Sequence, residues 1–219
     1  MRFSRLMMMF ALTFLPPAAW AGPLTDLIMA PGVLADIPDG RVLHYAQTRR
    51  LPGVPQGKQL PGVQTGVPLP DAVVAGQVLM TFTPSDAGTQ IVMTQIEGDA
   101  AAPIASFRAA GPNPLLIFFL ENVVRNMAAQ TGGSPHYMRN VIRAVLAESA
   151  PDLTEGSTRT VTLHPFESDP NAAKMGDFAG LALAMTFDPA TPGQLLDLTA
   201  QAGAGPDSYR ETLTLIPEE

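Results

Sequence analysis

Eight short segments of strand character, gathered in two groups of four around one helical stretch, limit what this chain can fold into more than any other feature. The first group is RVLHYAQTR (41 to 49), GQVLMTF (76 to 82), TQIVMTQIE (89 to 97) and IASFRA (104 to 109). The second is TRTVTLHPF (158 to 166), AGLALAMTFD (179 to 188), QLLDLTAQ (194 to 201) and YRETLTLI (209 to 216). Each is short and bounded by turn residues. Leu181, Leu183, Met185 and Phe187 alternate with Ala182, Ala184 and Thr186, the period of a strand with one face buried. TPSDAG, between the second and third segments, suits a hairpin and predicts antiparallel pairing. Runs of strands set apart from helices predict an α+β fold. The expected architecture is a curved or closed antiparallel sheet of about eight strands, with an αα hairpin inserted between the blocks and packed on one face.

The separating stretch begins NPLLIFFLENVVRNM at Asn113. Asn113 suits an N-cap and Pro114 the first helical position, where a missing N–H costs nothing. Gly132 ends this helix near Thr131, and Ser134 with Pro135 opens a second that runs to about Ser149. Gly132-Gly133 leaves room only for an antiparallel neighbour. On the first helix Leu116, Leu120, Val123, Val124 and Met127 share one face, with Glu121, Asn122, Arg125 and Asn126 expected opposite. The apolar run stops at Glu121, far short of the ~20 residues a membrane span needs. A core role is therefore expected for most of this face.

MTFTPSDAG (80 to 88) aligns with MTFDPATPG (185 to 193), and Leu43-His44 and Leu163-His164 fall in the first strand of each block. Tandem four-strand blocks would account for this, but similar hairpins recruiting similar turn residues account for it more simply.

Residues 1 to 21 carry Arg2 and Arg5, an apolar run from Leu6 to Leu15, Pro16-Pro17 and Ala19-Trp20-Ala21. This is the pattern of a cleaved export signal, with a single α+β domain expected over 22–219: strands 41–109, hairpin 113–150, strands 157–216. The expected location is the periplasm, with secretion the alternative. The chain has no cysteine, which rules out a lipid-modified cysteine, a disulfide and a thiolate nucleophile. Its 13 Lys and Arg face 20 Asp and Glu, and loss of Arg2 and Arg5 takes the net charge from −7 to −9. Such a balance argues against nucleic acid as a partner, and the segment lengths argue against an integral membrane protein.

Arg50 to Asp71, RLPGVPQGKQLPGVQTGVPLPD, has LPGV twice and cannot continue a sheet; a weakly packed excursion is expected, with a lid over a ligand the functional alternative.

Few residues offer chemistry. His136, Arg139 and Arg143 recur at helical spacing and, with Arg125 on the preceding helix, form a cationic stripe suited to an anion or an acidic partner; a solvated face is the simpler reading. His44, His136 and His164 have no metal-ligand spacing, although His44 and His164 could meet if the blocks were related by a two-fold axis. ESDPNAAKMGD (167 to 177) lacks the central glycine and final glutamate of a calcium loop and reads as a turn. Gly132-Gly133-Ser134 is explained by helix stop and N-cap rather than by a phosphate loop. No G-x-S-x-G elbow is present.

The sequence thus favours a non-enzymatic binding or carrier protein of the cell envelope, without cofactor or metal. Its ligand would be an apolar small molecule or lipid, or a lipidated partner, against Leu116, Phe119, Leu120 and Val123. The alternatives are a module binding another envelope protein through Arg125, His136, Arg139 and Arg143 or the Pro/Gly loop, and, third, a hydrolase whose site is not displayed. The layout resembles periplasmic lipoprotein carriers, half-open barrels with helices over the mouth, an analogy of architecture that carries over no residue.

Overall fold

The computed structural model describes residues 22–52, 71–150 and 158–217. Eight antiparallel strands form one sheet: β1 (Val42–Arg50), β2 (Val73–Thr83), β3 (Gln90–Glu97), β4 (Ala100–Arg108), β5 (Arg159–Leu163), β6 (Ala182–Phe187), β7 (Leu195–Ala202) and β8 (Tyr209–Leu215). Three α-helices accompany it: α1 (Pro23–Ile28), α2 (Pro114–Thr131) and α3 (Pro135–Glu148). Two short 3-10 helices, Ala172–Lys174 and Gly176–Gly180, precede β6; the first lies within the stretch read as a turn, and the second runs past it into the start of the segment read as a strand.

The strand order is β4-β3-β2-β1-β8-β7-β6-β5. The sheet is open, so the closed alternative fails. Its ends explain why: β5 has only five residues, and β4 contains Pro103, which has no N–H to offer a further strand. Each block is a simple meander, and the two meet where β1 pairs with β8, from Tyr45 opposite Leu215 to Arg50 opposite Arg210. A bulge between Gln47 and Arg49 shifts the β1–β2 register.

One face of the sheet is dry. Leu43 and Tyr45 of β1, Val78, Met80 and Phe82 of β2, Leu183, Met185 and Phe187 of β6, and Tyr209 and Leu213 of β8 are all buried in one cluster with α1, α2 and α3. Strict alternation along β6, whose other residues are half-exposed, is what a pleated strand with one covered face requires.

The caps fall where the side chains dictate. Asn113 accepts from the Leu115 N–H at 3.1 Å, Ser134 from the Tyr137 N–H at 3.5 Å, and Gly132 ends α2 with φ of 70°. Asn113 does more than cap. Its Nδ2 donates to the carbonyls of Ile28 at 3.0 Å and Gly193 at 2.8 Å, tying the start of α2 to α1 and to the β6–β7 turn. Gly193, with φ of 79°, lies so close to Val33 that a Cβ there would stand 2.8 Å from its carbonyl oxygen.

Candidate functional site, a buried polar network beside an open cleft

The inward side of β1 runs Leu43, Tyr45, Gln47, Arg49, so the apolar face turns polar towards one end. Arg49 lies opposite Glu211 of β8, and their side chains join at 2.7 Å with 4% and 0% exposure. Glu211 Oε1 also accepts from Asn122 Nδ2 at 3.2 Å, and Oε2 from the Tyr209 hydroxyl at 3.0 Å. Asn126 lies one turn further along α2, its Nδ2 donating to the Asn122 carbonyl at 3.0 Å. Burial, then the neighbouring Glu211 carboxylate, pushes the Tyr209 hydroxyl well above its ordinary pKa. It stays protonated and donating. Burial likewise raises Tyr45.

Arg49 Nη2 goes to Glu211 and Nη1 to the carbonyl of Asp71 at 2.9 Å. Three buried atoms here have no hydrogen-bond partner among the described residues: Arg49 Nε and both polar atoms of the Gln47 amide. Gln47 is 1% exposed. Leaving a buried donor or acceptor unmet costs about 1–3 kcal/mol. The bulge contributes here: Gly76 faces Gln47 across the ladder, and Val73 closes over it, so that a Cβ at Gly76 would come within 2.8 Å of Val73 Cγ1.

Beside Tyr209 the surface opens into a cleft of about 300 Å³. Phe178 and Tyr209 stand in its wall with ring centroids 5.3 Å apart, Gln130 and Thr131 bring in the end of α2, Pro52 the end of β1, and Lys174 and Asp177 the charges. Tyr209 thus touches both the cleft and the buried ion pair. A second cleft of about 460 Å³ lies at the other end of β1, between Val33, Ile37, Leu43 and Pro192.

The residues singled out by sequence fall elsewhere. Leu116, Phe119, Leu120 and Val123 are buried in the common core, Leu120 the most open at 8%, and none lines either cleft. Arg139 pairs with Glu121 of the facing helix, its Nη2 2.9 Å from Oε2, and lies 3.5 Å from His136 Nδ1. The hydrogen bond from Arg139, with the charges of Arg139, Arg125 and His136, holds the Glu121 carboxyl below its usual range. Glu121 thus bridges to the facing helix. Arg125, His136 and Arg143 are exposed. Asn122 and Asn126, expected on the outward face of α2, are buried instead: Asn122 donates to Glu211 of β8, and Asn126 to the Asn122 carbonyl.

His44 on β1 and His164 just past β5 are exposed and four strands apart, roughly 19 Å at the usual strand spacing, so they cannot share a metal. Among the described residues no three His, Cys, Asp or Glu side chains gather as a metal would require. No described helix is long and apolar enough to cross a membrane. Apart from Leu51 and Pro52, the repeated LPGV motif lies outside the described residues, as do the segment read as an export signal and the chain's last two residues.

No protein-family model, curated protein or solved structure matches the chain.

Proposed function

We propose that the protein is a non-enzymatic binding or carrier protein of the cell envelope, exported to the periplasm, that takes an amphiphilic ligand between its sheet and the α2–α3 hairpin. One observation supports this reading: the layer between β1, β8 and α2 contains buried polar atoms that no described residue satisfies. A layer serving only as core would be more stable with apolar side chains there. Leu116, Phe119, Leu120 and Val123 supply the apolar surface for the rest of the ligand. The cleft at Tyr209 gives a point of entry next to the network.

Native mass spectrometry of the protein purified from its own periplasm, followed by organic extraction, tests this. A lipid or other amphiphile at near one-to-one stoichiometry is expected. An empty, monodisperse protein would overturn the reading.

The exposed Arg125 and Arg143 on the hairpin support a second reading, a surface for an acidic envelope partner. Reversing both charges would leave ligand capture intact and abolish cross-linking to such a partner.

A further inference from the structure

We infer that the ligand's polar end is an uncharged group that both donates and accepts hydrogen bonds, a hydroxyl or an amide, and that Gln47 with Arg49 Nε is the site that receives it. This rests on the binding function proposed above. Gln47 offers one unmet acceptor, Oε1, and an unmet amide donor, while Arg49 Nε, two residues along the same face of β1, offers another donor. A hydroxyl or amide answers both kinds of group at once.

Charge excludes the obvious competitors. The Arg49 guanidinium is already neutralised by Glu211, which is fully buried. A carboxylate or phosphate head would place a second anion on one guanidinium away from water, and an ammonium head would face Arg49 itself. The site is electrically complete and incomplete only in hydrogen bonds.

The unmet atoms are shut from solvent, so the head group reaches them when α2 lifts from β1 and β8. The polar tie of α2 to the sheet runs from Asn122 to Glu211, whose other oxygen takes the Tyr209 hydroxyl beside the open cleft. Lifting α2 therefore begins where the ligand can follow.

The test compares 1-monooleoylglycerol, oleate and oleylamine, three probes with one chain and three heads, by native mass spectrometry and displacement titration on delipidated full-length protein. The expected result is one-to-one binding of the glyceride at least about tenfold tighter than of either charged probe. Gln47→Leu is expected to melt at a higher temperature than the empty parent, having lost its unmet amide, and to bind the glyceride about tenfold more weakly. Gln47→Met serves the same purpose should the leucine variant not fold. Failure of all three probes to bind the parent would overturn the binding function itself. Binding that favours oleate or oleylamine, or a glyceride affinity unchanged in both variants, would overturn the assignment of the head group and leave the binding function standing.

Discussion

Arg139 and Glu121 meet on the outside of the helical hairpin with 34% of each side chain exposed, whereas Arg49 and Glu211 meet inside the molecule with 4% and 0% exposed. The chemistry is the same and the surroundings are opposite. Water around the outer pair leaves it little to gain, on the order of 0.2–1 kcal/mol, and little to lose. The inner pair has given up the hydration of both ions, and its attraction offsets that loss only through the added bonds from Asn122 and Tyr209. An internal ion pair is therefore costly to break and yet is no sign of a stability optimum. Its presence beside unmet polar atoms is better explained by a task than by the fold's own needs.

Breaking the inner pair on one side should do the most damage. Arg49→Ala should lower the free energy of unfolding in urea by about 3–5 kcal/mol, because Glu211 is left buried and charged. A loss under about 1 kcal/mol would mean that Glu211 is hydrated in solution. Next, Arg49→Met combined with Glu211→Leu should unfold at least about 1 kcal/mol later than Arg49→Ala alone, since no charge remains inside. If the double variant is no better, the bonds to Asn122 and Tyr209, and not the charges, hold this layer together.

The outer pair calls for smaller numbers. A double-mutant cycle of Glu121→Gln and Arg139→Ala should give a coupling of about 0.2–1 kcal/mol that shrinks towards zero near 1 M salt, where the screening length is about 3 Å. A coupling insensitive to salt would place this pair with the buried one. The smallest effect is in acid. Glu121 is held below its ordinary range by Arg139, so its folded form binds a proton less readily than the unfolded chain. Its contribution is therefore present above the unfolded carboxyl's pKa of about 4.3 and lost as pH falls through the lower folded value. Melting curves from pH 6 to pH 3 should show Glu121→Gln closing on the parent as the medium acidifies; a constant gap would mean that the carboxylate charge plays no part.

Much of the fold was legible because its signals are local. All eight strands and both long helices follow from alternation, caps and turn residues, with boundaries moved where pairing outruns pattern: β2 starts at Val73, extended by its ladder with β1, and β4 at Ala100, extended by its ladder with β3. The six-residue α1 was missed because it is shorter than two helical turns and sets up no period; Leu24 and Ile28 are the two side chains it buries. The buried network was not read from the sequence, although a signal existed. Gln47 and Arg49 share the parity of Leu43 and Tyr45, and Glu211 that of Tyr209 and Leu213, so strict alternation places all three inward. Residue type argued the other way, and polar side chains on strands are usually assigned to water. Asn122 misleads for the same reason: a helix's own pattern cannot reveal that a strand remote in sequence will answer its amide.

The seam between β1 and β8 bears on how the chain finds its fold. Each four-strand meander forms from neighbours in sequence, but Arg50 meets Arg210 only after nearly the whole chain has been gathered. Loop closure of that length makes such a pairing late. Arg49 and Glu211 stand on the seam, so each keeps its water until the two halves dock, and the expensive dehydration falls near the end of folding. Substitutions at the pair should then speed unfolding far more than they slow refolding, making this the latch that sets how long a folded molecule lasts.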